Sequence, residues 1–281
     1  MFARKIAIVL LAFVLLACGQ APDPKAKLNP KPKPPESSVG LRPEKEAAPS
    51  DSFSSARKFA FLISGNTEER HEKNLALVYK TLLWCGFGKE NIYILDGEGR
   101  KNSRYAVDGR ANRKNIRAVF TDLQRRMNDG DFLFIYTTDH GGRDMRTFPG
   151  RGGLIKVSTL SLPGSEKDLD EIEFAEYVDR LKFRIGVFVF DQCLSGGFAE
   201  RAAGRNRITI SACKRDEDSD DNTFPQTFFK SFRLKAADLN KDGRVSVREA
   251  FLYTLKNDRN TVKGKQTPQI FQGIESEVFL K

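Results

Sequence analysis

Apolar and polar positions recur along this chain with two different periods, and the switches between them mark its elements. Phe59 to Ile63 is a short apolar run closed by Ser64-Gly65, which predicts a buried strand. Leu75, Val78, Leu82 and Cys85 then recur at helical spacing, with Gly86 closing the helix. The order repeats: Ile92 to Leu95 reads as a strand, and Ile116, Val119, Phe120, Leu123 and Met127 as one face of a helix ending before Gly130. Phe132 to Tyr136 and Val187 to Phe190 are the most continuous apolar runs, the pattern of central strands covered on both faces, and Arg207 to Ala212 supplies another strand. Strands alternating with helices predict an α/β fold, a sandwich around a mainly parallel sheet. In such sheets ligands bind beyond the carboxyl ends of the strands, where adjacent loops diverge.

The pattern is absent from the first part of the chain. Arg4 and Lys5, the apolar run Ile6 to Leu16 and then Ala17-Cys18-Gly19 follow the order of a secretory signal, too short to span a bilayer comfortably. Leu15-Leu16-Ala17-Cys18 resembles a bacterial lipobox, which implies that residues 1–17 are a lipoprotein signal peptide and that Cys18 is lipidated. Residues 18–57 are dominated by Pro, Lys, Glu, Ser and Ala, with too few large apolar side chains for a core, and Lys31 to Pro35 favours extended polyproline II. The expected organisation is a signal peptide at 1–17, a disordered Pro/Lys-rich tether at 18–57 and one folded domain at 58–281. Such a chain is exported and anchored to the cell envelope. Gly19, where an aspartate would favour inner-membrane retention, makes the outer membrane the expected site by similarity to lipoproteins of double-membraned bacteria.

A formal charge of +10 suggests weak attraction to anionic surfaces. Acidic runs at Asp216 to Asp218 and Asp220-Asp221 break up the basic surplus, and no basic block is interleaved with aromatics, so nucleic acid is not an expected partner.

Beyond Cys18 the chain has Cys85, Cys193 and Cys213, an odd number that provides no disulfide framework. Cys85 falls on an apolar helix face and Cys213 at a strand end, both positions for small core residues. Cys193 differs, because it follows a buried strand and precedes Leu194-Ser195-Gly196-Gly197, whose small residues leave a thiolate open and surrounded by amides. The chain contains 2 histidines, His71 and His140, so a histidine base for this thiol must be one of them. His140 ends the other buried strand and is followed by Gly141-Gly142, which lets a substrate carbonyl approach the backbone. Cys193 lies 53 positions after it, near the ~50-residue spacing of caspases.

Phe134-Ile135-Tyr136-Thr137-Thr138-Asp139-His140-Gly141 and Asp191-Gln192-Cys193-Leu194-Ser195-Gly196 resemble the histidine and cysteine motifs of the legumain family of peptidases, family C13, over a region from Phe59 to Ala212. Glu68-Glu69-Arg70-His71 is similar to the family's Arg-His pair after the first strand. The resemblance implies a caspase-like three-layer sandwich and a cysteine endopeptidase that needs no organic cofactor. Cys193 would attack a peptide carbonyl, His140 would protonate the leaving amine, and the amides of Gly141 and Cys193 would hold the oxyanion. Asn66 is the candidate for the family's supporting asparagine, in a segment between Gly65 and Arg70 that is shorter than the family's. Asp191, two residues before the nucleophile, is the candidate acidic wall of the pocket for the residue before the cut, with Arg70 as a positive wall opposite. A pocket of both signs suits the carboxamide of Asn, whose oxygen accepts and whose nitrogen donates. Arg/Lys specificity, transamidase chemistry and a non-catalytic calcium-dependent binding module on the same fold are the alternatives.

Asp238-Leu239-Asn240-Lys241-Asp242-Gly243, followed by five residues and then Glu249, meets the twelve-residue EF-hand pattern. Asp238, Asn240, Asp242, the Arg244 carbonyl, Ser246 and Glu249 would supply oxygen ligands to one Ca2+, and the flanking apolar residues predict a helix on each side.

Overall fold

The computed structural model describes residues 56–65, 68–148, 151–164, 167–219 and 223–281. The signal peptide, most of the tether, Cys18, Asn66 and Asp220-Asp221 lie outside the described residues. Strand β1 (Lys58–Ser64), helix α1 (Glu69–Trp84), strand β2 (Ile92–Asp96), helix α2 (Arg113–Arg126) and strand β3 (Phe132–Thr138) follow the predicted order. Then come β4 (Gly141–Phe148), β5 (Arg151–Leu160), β6 (Leu169–Asp170), α3 (Glu171–Asp179), β7 (Ile185–Phe190), α4 (Gly196–Arg201) and β8 (Arg207–Ser211). Helices α5 (Thr223–Ser231), α6 (Val247–Asn257) and α7 (Arg259–Val262) and strand β9 (Gln269–Gln272) complete the chain.

The central sheet has the order β2-β1-β3-β7-β8-β9, parallel throughout except for β9, which runs antiparallel to β8. Successive side chains of its strands point to opposite faces, and both faces are covered. Ala60, Leu62, Phe134, Tyr136, Val187 and Val189 pack with Leu75 and Val78 of α1, Phe228 of α5 and Phe251 of α6. Phe59, Phe61, Ile135, Phe188 and Phe190 pack on the other side with Ile116 and Phe120 of α2, Phe174 of α3 and Phe198 of α4. This double cover is why the strands read as unbroken apolar runs. The result is the expected three-layer α/β sandwich with a mainly parallel sheet.

The separate antiparallel sheet β4-β5-β6 was not foreseen from the pattern. Between Gly141 and Lys156 its residues are largely charged or glycine, and Met145 and Leu154 stand exposed, so no clean alternation signals a buried face. Helix α3 begins where the Asp170 carboxylate accepts hydrogen bonds from the Ile172 and Glu173 amides.

Phe120 ties three elements together. Its ring meets Phe61 edge-on at 5.3 Å and Phe174 at 6.0 Å, and stacks on Tyr177 at 5.0 Å. Phe120→Ala is expected to lower unfolding stability by about 3–5 kcal/mol, read from the denaturant midpoint, because a cavity opens among three rings. A loss below about 1 kcal/mol would mean that α2 does not pack as described.

Candidate active site

Register places the two polar clusters together. Thr137 of β3 pairs with Phe190 of β7 in a parallel ladder, and the Asp191 amide extends it by donating to the Thr137 carbonyl at 2.9 Å. Residues 139–141 and 191–193 therefore leave the sheet side by side at its carboxyl end.

The cysteine strand ends in a tight turn. Leu194 has φ of +61°, a left-handed conformation that costs a branched residue about 1–3 kcal/mol, and its amide is held by the Glu217 carbonyl at 2.9 Å. Cys213 buttresses this turn from below: its amide donates to Ser195 Oγ at 3.4 Å, and its sulfur lies 3.6 Å from the Gln192 carbonyl. Burial pushes the Cys213 thiol up to about 12, so it remains a protonated core residue, and Cys85 is likewise buried.

Gly141 has to be glycine, because a Cβ there would stand 1.9 Å from the Cys193 carbonyl oxygen. The backbones of the two motifs are thus in contact. Cys193 is half-buried, and its sulfur accepts the Ser219 amide at 3.3 Å. Burial raises its pKa, and the amides of Ser219 and Gly141 offset only part of that rise. At rest the group is a thiol that needs a base.

His140 is exposed, with Nε2 2.9 Å from Glu68 Oε1 and 3.4 Å from an Arg70 terminal nitrogen. Arg70 Nε donates to the other Glu68 oxygen at 2.7 Å. The hydrogen bond with His140, more than the neighbouring Arg70, holds the Glu68 carboxyl below its usual range. Among the described residues no hydrogen bond joins His140 to Cys193. His71 lies behind, its ring edge-on to His140 at 6.0 Å and its Nδ1 2.9 Å from Thr138 Oγ1; burial drives its pKa down to about 4.

Glu68 is the site residue that sequence reasoning missed. Its only signal was an acid two positions before Arg70, and its contact with His140, 72 residues further along the chain, has no signature in composition or period.

Asp191 lies deeper than a pocket wall would. It is 1% exposed, its Oδ2 accepts hydrogen bonds from Tyr136, Thr138 and Asn74, and its Oδ1 is buried without a partner. Burial raises its pKa to about 7, and the hydrogen bonds from Thr138 and Tyr136, followed by nearby Arg70, offset only part of that rise. Arg70 itself is exposed.

The 238–249 loop stands apart from these groups, beside a cavity of about 790 Å³ lined by Trp84, Phe232, Asp238 and Arg244. The helix expected to lead into it, α5, stops at Ser231, and a short 3-10 turn at Lys235–Ala237 enters the loop instead. The leaving helix is as expected: Ser246 caps α6 and Glu249 closes a reciprocal capping box. Asp238 accepts the Asp242 and Gly243 amides, and Gly243 makes the turn at φ of +88°. Asn240 donates to Asp242, and the Arg244 guanidinium donates to the Lys281 carbonyl.

The raised pKa of Asp191 sets a pH dependence. The unfolded chain ionises this carboxyl near 3.8, whereas the fold keeps it protonated to about 7. Its contribution is therefore full below about pH 4 and is lost as pH rises through about 7. Asp191→Asn is expected to flatten the fall in stability across that window, measured as denaturant midpoints at pH 4, 5.5 and 7.5. An unchanged slope would show that Asp191 ionises normally.

Residues 108–232 match the model of the Peptidase C13 family, a stretch that contains His140, Gly141, Asp191 and Cys193 but neither Arg70 nor the 238–249 loop. No curated protein matches the chain. Among solved structures it is similar to the crystal structure of protein GSU0716 from Geobacter sulfurreducens, at 12% identity and a TM-score of 0.53, covering 78% of this chain and 94% of that one. At that identity the likeness is one of fold. The match over residues 108–232 supports the legumain-type, caspase-like resemblance, and that family suggests a cysteine peptidase acting on peptide or protein substrates.

Proposed function

We propose that the chain is a cysteine endopeptidase in which Cys193 is the nucleophile and His140 the base. The observation that carries this reading is the contact of Gly141 with the Cys193 backbone, which joins the two motifs at the carboxyl ends of adjacent strands within the matched segment. Glu68 engages His140 Nε2, leaving Nδ1 to exchange the proton. As the Cys193 sulfur bonds to the substrate carbonyl carbon, His140 takes the thiol proton, and the amides of Gly141 and Cys193 receive the oxyanion. Collapse breaks the C–N bond, the departing amine takes the proton from His140, and water then hydrolyses the thioester. The Glu68 carboxylate stabilises the imidazolium in between.

The same reading favours Asn before the cut over Arg or Lys. Asp191 is buried, satisfied on one oxygen by three donors and half-protonated near neutrality, a poor counter-ion for a basic side chain. Arg70 at the rim repels such a side chain while offering donors to a carboxamide oxygen.

We further propose that the 238–249 loop binds one Ca2+ and so stabilises the fold. The donor set is all oxygen, as a hard cation requires. The export and lipid anchoring expected at Cys18 would place this activity at the cell envelope.

Cys193→Ala and His140→Ala are each expected to lower peptide turnover by at least about 100-fold with unchanged melting temperature. Wild-type turnover in Cys193→Ala would overturn the assignment. Peptides with Asn, Asp, Arg or Lys before the cut read specificity: Asn should exceed Arg and Lys, and Arg70→Ala should shift preference towards them. Calcium at about 100 times its Kd should stabilise the chain by about 2.7 kcal/mol, an increase that Asp238→Ala with Asp242→Ala removes. No calcium-dependent shift in the wild type would leave the loop a turn only.

A further inference from the structure

Glu68, His71 and His140 each direct one donor atom into the same small space, and these atoms lie within 4.8 Å of one another. We propose that they form a binding site for a transition-metal ion of the Zn2+ type, whose occupation withdraws His140 from proton transfer. The effect on turnover rests on the peptidase reading, whereas the site itself does not.

Two imidazoles and a carboxylate are the donor set of three-ligand zinc sites, which keep a fourth position open. The set is unlike the all-oxygen 238–249 loop and calls for a softer ion. Hydrogen bonding fixes the tautomer of the buried member. Thr138 Oγ1 donates its one proton to Asp191 Oδ2 at 3.0 Å, so towards His71 Nδ1, 2.9 Å away, it can only accept. His71 therefore carries its proton on Nδ1 and presents a lone pair on Nε2, the form that ligates metals and is commonly fixed by just such a hydrogen bond. That Nε2 is buried and has no hydrogen-bond partner, on a side chain only 1% exposed. Asp139 Oδ1 lies 3.9 Å from the same nitrogen, a further oxygen beside the space.

A tetrahedral ion about 2.0–2.1 Å from each donor holds donors about 3.3 Å apart. His140 Nε2 and Glu68 Oε1 are already 2.9 Å apart. Closure onto His71 from within 4.8 Å needs a shift of at most about 1.5 Å, taken up by the exposed His140 and partly exposed Glu68 while His71 stays fixed. Arg70 is the built-in competitor: its guanidinium bonds Glu68 at 2.7 Å and sits 3.4 Å from His140 Nε2, where the ion would lie.

The test is titration of the tag-free full chain at pH 7 with Zn2+ by calorimetry and with Co2+ by visible absorption. One equivalent should bind with the intense bands of tetrahedral Co2+. Glu68→Ala and His71→Ala should each weaken binding at least tenfold, and His140→Ala, at an exposed ring, gives the same reading independently of any folding defect from the buried position. Arg70→Ala should tighten binding several-fold, while Cys193→Ala and the Asp238→Ala/Asp242→Ala pair should leave it unchanged. Absence of this equivalent, its survival in both histidine variants, or its loss in Cys193→Ala would overturn the site. Because affinity is read without substrate, failed peptide turnover would overturn the peptidase reading alone.

Discussion

The parallel pairing of β3 with β7 is the constraint on which the rest depends. With Thr137 opposite Phe190, both chains leave the sheet at nearly the same height, β3 after Thr138 and β7 after Phe190. They must diverge, and the gap between them becomes the crevice typical of open α/β sheets. The distance between the two motifs is then set by backbone contact at Gly141, not by any bond between His140 and Cys193. This makes the arrangement stiff where the backbones meet and adjustable where the side chains reach out. It would suit the proposed pair, with a hydrogen bond that forms only as substrate arrives.

Much of this was legible in the sequence because burial on two faces writes itself into composition. The five parallel strands and α1 and α2 follow from apolar runs and helical spacing, and the motifs follow from where those runs stop. The antiparallel β4-β5-β6 sheet was not legible, since a half-exposed, glycine- and arginine-rich ribbon has no period to find. Among the candidate site residues, Cys193, His140 and Gly141 could be picked out from where the apolar runs stop and from the resemblance of their motifs. Glu68 could not, because its contact with His140 joins residues 72 positions apart. Asp191 could be named, but its depth could not: the turn after Phe190 directs it beneath the sheet end, towards Asn74 and Tyr136. The approach to the 238–249 loop failed for a related reason, because the phenylalanines Phe228, Phe229 and Phe232 have helical spacing but the helix ends at Ser231.

Strain and unmet polar groups gather at this end of the sheet. His71 Nε2, Asp139 Oδ2 and Asp191 Oδ1 are all buried without hydrogen-bond partners, and Leu194, next to Cys193, sits in a left-handed conformation. Each feature costs stability, and a fold selected for stability alone would pair or remove such groups. They persist because packing above and below the sheet over-determines the backbone. Phe134, Tyr136, Val187 and Val189 are anchored on one face and Phe188 and Phe190 on the other, so the polar ends cannot relax without disturbing the core. Burial also keeps His71 neutral and raises the pKa of Asp191 and Asp139, while the hydrogen bond with His140 lowers that of the partly exposed Glu68 at the rim. The charge available to an incoming ligand is therefore concentrated on Glu68 and Arg70. Both touch His140, so whatever draws on either one, substrate or ion, also acts on the histidine.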